Sequence, residues 1–100
     1  MLKVGLFVRL EAKMAKEAEL AAFLEQGLAL ANDEAFTPVW FALKFGPSSF
    51  AIFDAFVGEP GRQSHLAGEL AKALMAKAPE LLATSPSIEK LDVIGAKLSV

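Results

Sequence analysis

The chain alternates between two hydrophobic rhythms. In Lys3 to Ala12, Val4, Leu6, Val8 and Leu10 take every second position, with Gly5, Phe7, Arg9 and Glu11 between them, which is the period of a strand. Phe7 on the second face implies that both faces are at least partly covered. From about Ala15 to Ala31 the spacing changes. Leu20, Phe23, Leu24, Gly27, Leu28 and Ala31 recur at helical intervals opposite Lys16, Glu19 and Glu25, and Asn32-Asp33 supplies a stop. Two further strand-like stretches, Val39 to Phe45 and Phe50 to Val57, flank the turn-forming cluster Gly46-Pro47-Ser48-Ser49. A second helix is expected from near Pro60, a residue suited to a first helical turn, with Leu66, Leu70, Ala73 and Leu74 facing inward. It should end around Ala78, with a short extra turn from Pro79, and Ile88 to Leu98 reads as the last strand.

The resulting order, β-α-β-β-α-β, is the ferredoxin-like arrangement of the α+β class: one antiparallel sheet with both helices on one face, as a single domain over 1–100. If the turn sets Phe45 opposite Phe50, then Leu43 faces Ile52, Phe41 faces Asp54 and Val39 faces Phe56. One sheet face would then carry Val39, Phe41, Leu43, Phe45, Phe50, Ile52, Asp54 and Phe56. The other, with Trp40, Ala42, Lys44, Ala51, Phe53 and Ala55, would lie under the helices. A slip of one residue would exchange the faces of one strand relative to the other.

Composition adds a partner and removes several functions. Apolar residues make up 54% of the chain before glycine is counted, whereas typical domains reach about 45–50% with glycine included. So much apolar surface is hard to hide in one hundred residues, and a homodimer is expected. A net charge of −2 with scattered positive residues offers no field for a nucleic-acid backbone. No apolar run approaches the roughly 20 residues of a membrane span, and the N-terminus reaches charges too soon for a signal peptide, so a cytoplasmic location is expected. With no Cys and a single His, thiolate chemistry and two-histidine metal motifs are absent, and neither metal nor cofactor is expected.

The candidate chemistry gathers in residues 50–69, FAIFDAFVGEPGRQSHLAGE, where a strand runs into a helix bearing His65. An imidazole with an ordinary pKa near 6.5 can accept and return a proton at neutral pH. The alternative is a solvated stripe, since Arg62, His65, Glu69 and Lys72 share one helical face. Asp54 interrupts an apolar strand face, and an enclosed carboxyl needs a partner; it is either a pocket acid or base, or a bridge to Arg62, Arg9 or a second subunit. Arg62 could steady an oxyanion or pair with Glu59 or Glu69. Trp40 and the phenylalanines read as core and pocket wall.

The element order, Val39-Trp40-Phe41-Ala42-Leu43, and Phe53-Asp54-Ala55-Phe56 followed nine residues later by His65-Leu66 together resemble the antibiotic biosynthesis monooxygenase family, over about residues 3 to 98. The resemblance implies a dimeric α+β barrel of two facing sheets, each subunit with an apolar ligand pocket on its sheet side. It implies a cofactor-independent monooxygenase acting on a small or polycyclic aromatic phenol or quinol. His65 would be the proton acceptor, Asp54 or Arg62 its polar partner, and Val39, Phe41, Leu43, Phe50, Ile52 and Phe56 the substrate-binding wall. A non-catalytic barrel that binds an aromatic or isoprenoid ligand is the alternative. Haem binding comes third: where haem-degrading relatives carry an Asn beside an Arg and a Trp ending the third strand, this chain has Val8 and Phe56.

Overall fold

The structure is a computed structural model and describes residues 1–99; Val100, the last residue of the expected domain, lies outside the described residues. Four strands, β1 (Val4–Glu11), β2 (Val39–Lys44), β3 (Ser49–Phe56) and β4 (Ser87–Asp92), form one antiparallel sheet in the order β2-β3-β1-β4. Three helices, α1 (Glu17–Asn32), α2 (Glu59–Leu66) and α3 (Glu69–Leu81), complete the α+β ferredoxin-like fold. The main core lies between sheet and helices. Val8 and Leu10 of β1 and Phe50 and Ile52 of β3 pack with Leu20 and Leu24 of α1 and with Leu74 and Leu81 of α3. Each such leucine, fully buried, contributes about 2 kcal/mol relative to exposure. α1 turns Leu20, Leu24, Gly27 and Ala31 inward. Gly27 permits close packing there, because a Cβ at that position would meet Leu70 at 3.2 Å and the Trp40 ring at 3.6 Å.

The pairing of β2 with β3 is displaced by one residue from the expected register. Lys44 stands opposite Phe50, Leu43 opposite Ala51, Phe41 opposite Phe53 and Trp40 opposite Asp54. Phe45 has joined the turn, where its amide N–H donates to the Ser49 carbonyl at 2.8 Å. Its ring lies 6.3 Å from Phe7, with the Arg9 guanidinium 5.5 Å away, aromatic and cation–π contacts that a Phe45–Phe50 pair would forgo. Because alternate residues face opposite sides, the slip divides the expected pocket wall. Val39, Phe41 and Leu43 share the open face with Phe7 and Phe53, whereas Phe50, Ile52, Asp54 and Phe56 lie beneath the helices together with Trp40. Phe41 and Phe45 are 51% and 56% exposed, so the open face of a lone chain presents large apolar groups to water.

The second expected helix is two. α2 closes with the Gly68 N–H bonded to the His65 carbonyl, and Gly68 then serves as the N-cap of α3. A Cβ at Gly68 would come within 2.7 Å of Glu34 Oε2, so the chain passes there only as glycine or with Glu34 displaced. α3 continues through Pro79 to Leu81 because Leu81 and Leu82 are buried, and Leu82 bridges to Ala12. β4 stops at Asp92 rather than Leu98: β1 offers its last partner at Val4, and one further bond, Val93 N–H to the Lys3 carbonyl, ends the ladder. Among the described residues no helix is long and apolar enough to cross a membrane.

Between β1 and α1, Ala15 adopts a left-handed conformation, with φ at 70°. That conformation crowds the Cβ of an L-residue by roughly 1–2 kcal/mol, while glycine adopts it freely at some loss of chain entropy. Ala15→Gly is expected to raise the unfolding free energy by about 0.5–1 kcal/mol in urea titrations; a lower value would contradict the strain.

Candidate functional site

Asp54 occupies the middle of β3, has no solvent exposure, and is flanked across the sheet by Leu6 on β1 and Trp40 on β2. A carboxyl group so placed requires a partner. The local chain path supplies one. Two strand residues beyond Asp54 advance about 7 Å, the chain reverses through Val57 and extended Gly58, and Pro60 sits in the first turn of α2. Six residues of helix from Glu59 then return about 9 Å over the sheet, which sets His65 above Asp54. Its Nε2 lies 3.0 Å from Asp54 Oδ2. The contact is an ion pair when the imidazole is protonated.

The other edge of the ring is held as firmly. Nδ1 lies 2.7 Å from Glu34 Oε1, which also accepts the Thr37 hydroxyl at 2.9 Å; that hydroxyl is 3.2 Å from Nδ1. The Phe56 ring packs against the imidazole at 5.3 Å. His65 is therefore buried between two acids from different segments, β3 and the α1–β2 connection, and does not belong to a solvated stripe. Burial is the strongest single influence on its pKa and acts to lower it. The contacts and charges of Asp54 and Glu34 together outweigh burial, and the net shift is upward from 6.5.

Beside this cluster a cavity of about 90 Å³ opens between the sheet and α2–α3, walled by Leu6, Val8, Ile52, Leu70 and Leu74. Asp54, His65 and Trp40 are its polar residues. Asp54 Oδ1 has no donor and Trp40 Nε1 no acceptor, though both atoms are shut off from solvent. A larger hollow of about 470 Å³ lies between the N-terminal residues and Val93–Leu98; Lys3 is its only charged side chain, and it carries no acid–base pair. Asp54 and Glu34 approach opposite edges of the imidazole, and among the described residues no group of three or more His, Asp or Glu could hold a metal ion.

The other expected site residues are placed differently. Arg62 does not line the cavity. Its Nη1 donates to the carbonyls of Gly5 and Leu91 at 3.2 and 3.3 Å, and its Nε and Nη2 pair with Glu59, so it straps α2 to the ends of β1 and β4 instead of steadying an oxyanion. Asp54 meets neither Arg62 nor Arg9, and it faces the helices rather than a barrel interior. Of the expected wall, Ile52 lines the cavity, Phe50 and Phe56 are buried beneath the helices, and Val39, Phe41 and Leu43 stand on the open face. Glu69 pairs with Lys72 at the surface. Glu34 and Thr37 carry no sequence signal beyond an acid directly after the helix stop and a hydroxyl three residues on, a combination common in loops.

The raised pKa of His65 fixes a pH dependence. Folding takes up a proton at this site, so its stabilisation is complete below the unfolded value near 6.5 and is lost as pH rises through the higher folded value. Urea midpoints are expected to fall from pH 6 to pH 9. His65→Ala should remove that slope and destabilise by about 3 kcal/mol, because it leaves Asp54 buried without a partner. A flat wild-type profile would refute the coupling.

No family model matches the sequence, and no curated protein matches it. Solved structures do. A Nitrosomonas europaea protein of unknown function, NE2512, is 58% identical, with 100% of this chain and 97% of that one covered and a TM-score of 0.97. A Caulobacter crescentus protein provisionally assigned as an antibiotic biosynthesis monooxygenase is 20% identical over 94% of this chain and 92% of its own, at a TM-score of 0.81. A second Nitrosomonas europaea protein with the same provisional assignment is 11% identical over 92% and 90%, also at 0.81. The resemblance read from the sequence stands at the level of fold: the chain belongs to one family with NE2512, and its fold is that of the antibiotic biosynthesis monooxygenases.

Proposed function

We propose that this chain is an oxidoreductase of the cofactor-independent monooxygenase kind, acting on a small phenol held between sheet and helices. The observation that carries the reading is the unmet acceptor of Asp54 beside the unmet donor of Trp40 in an otherwise apolar cavity. A phenolic hydroxyl both donates and accepts, so one such group would satisfy Asp54 Oδ1 and Trp40 Nε1 while its ring meets the apolar wall. The cavity is smaller than the roughly 150 Å³ that takes up benzene. It therefore favours one ring over a polycycle, admitted by movement of Met75, which is 55% exposed.

In the proposed reaction the Asp54–His65 pair takes the hydroxyl proton, and the phenolate reduces dioxygen. A ring carbon–oxygen bond forms, the oxygen–oxygen bond and the C–H bond at that carbon break, and a phenol plus dioxygen become a quinone plus water, which takes up both the hydroxyl proton and the ring proton. Structural neighbours assigned provisionally as monooxygenases support the reaction class. The haem reading loses its axial ligand, since acids occupy both nitrogens of His65. Those same contacts favour one second reading, a non-catalytic binder of the same rings, because only Asp54 is left with an unengaged polar oxygen toward the ligand.

Oxygen uptake with phenol and hydroquinone separates the two. Wild type should turn over faster as pH rises through the His65 transition, and Asp54→Asn should lose at least about 100-fold. Saturable binding without uptake would leave the binder.

We further propose that the chain is a homodimer closed through the open sheet faces, where Phe41 and Phe45 stand half-exposed. A stable dimer buries about 800 Å² per partner. Light scattering at micromolar concentration should give twice the 10.6 kDa chain mass, and Phe41→Asp should halve it; a wild-type monomer would end this reading.

A further inference from the structure

We infer that Asp54, His65 and Glu34 form a proton route from the inner cavity to a separate hollow on the outside of the helical layer, with Glu34 Oε2 as its outlet. The inference rests on the proton-handling reading of the inner cavity. Its inner end is the unpartnered Asp54 Oδ1. Its middle is the imidazole, with Nε2 3.0 Å from Asp54 Oδ2 and Nδ1 2.7 Å from Glu34 Oε1. Its outer end is Glu34 Oε2, which is buried without a partner.

Glu34 also lines a second hollow of about 260 Å³, together with Asp33, Phe36, Gly68 and Glu69, and shares none of the inner cavity's walls. Gly68 lines that hollow beside Glu34, and a Cβ there would stand 2.7 Å from Oε2. Oε2 is itself shut off from solvent, and the space that a side chain at position 68 would fill is what lets the Glu34 carboxyl turn toward the hollow. A purely structural clamp on His65 needs only Oε1, which already takes the Thr37 hydroxyl and the ring nitrogen. An amide oxygen could accept both of those contacts, so a clamp does not require an ionisable group there, whereas a conduit does.

A proton entering at Asp54 passes to Nε2 while Nδ1 releases its own proton to Glu34 Oε1; rotation of the protonated carboxyl then carries that proton to the Oε2 position, where it exchanges with water from the hollow. No electron moves, and return of the proton along the same path restores the original ring tautomer. The groups facing His65 are Asp54 from β3 and Glu34 and Thr37 from the α1–β2 connection. Arg62 of its own helix points toward Gly5 and Leu91, and Glu69 at the outer rim pairs with Lys72.

The test is the exchange rate of the His65 ring N–H protons with water, followed by nitrogen-15 NMR in the ligand-free protein. Glu34→Gln keeps the shape and an acceptor for Thr37 but cannot carry the proton. Gly68→Ala keeps all three acid–base groups, pushes Glu34 Oε2 aside and fills the space into which the carboxyl would turn. Each is expected to slow exchange at least tenfold, and wild-type exchange in either variant would overturn the route. Loosened packing accelerates exchange, the opposite sign, so partial unfolding cannot imitate the expected result; faster exchange also counts against the route. Because no turnover is involved, an oxygenase reading that fails leaves this measurement valid, and the reverse holds.

Discussion

The structure depends on one demand: a carboxyl group without water, in the middle of the sheet, has to be answered from the helical layer. Asp54 is fully buried on a central strand, and the imidazole of His65 is the group that meets it. Breaking such a buried pair is costly because the remaining charge has nowhere to go. Meeting the demand fixes where α2 lies, and α2 in turn draws the α1–β2 connection inward through Glu34 and Thr37. Three segments far apart in sequence thus converge on a five-membered ring. The raised pKa of that ring states the same fact in another form, since the protonated imidazole is the form that suits both neighbours.

The element order and the fold class were legible because period-2 and period-3.6 patterns are long and clean in Val4–Leu10 and Leu20–Ala31. Register was harder. It depended on whether Phe45 closes the hairpin or joins its turn, and the contacts that decide this, with Phe7 and Arg9, come from a strand forty residues away. The break at Gly68 was hidden for a related reason: Leu66, Leu70 and Leu74 keep their helical spacing across it, while the oxygen that occupies the space of a Cβ belongs to Glu34. Asp54 and His65 were visible as candidates because each stands out from its surroundings in sequence. Glu34 was invisible because nothing about an acid after a helix foretells burial. The pairing of Arg62 with Glu59 was legible from their spacing, whereas its two backbone acceptors were not, because no side-chain pattern marks them.

The two faces of the sheet divide the work between them. The face under the helices holds the buried ion pair and the cavity, while the open face gathers Phe7, Phe41, Phe45 and Phe53 around Arg9. Ala51 and Ala55 are small on the open face, which leaves room for the larger rings beside them. A single register assigns both faces at once, and that is why the displacement of β2 by one residue divided the expected pocket wall between the two sides of the sheet.

α2 is fastened at both ends, by Arg62 to the carbonyls of β1 and β4 and by His65 to Asp54 and Glu34, whereas α3 begins afresh after Gly68 and contributes Leu70, Leu74 and Met75 as plain apolar surface. The hinge between them separates a fixed chemical half from an interchangeable lining. Substitutions on α3 can reshape the cavity without disturbing the acid–imidazole–acid array. Divergence confined to one helix would then alter the shape of the enclosed space while leaving the buried charges beside it as they are.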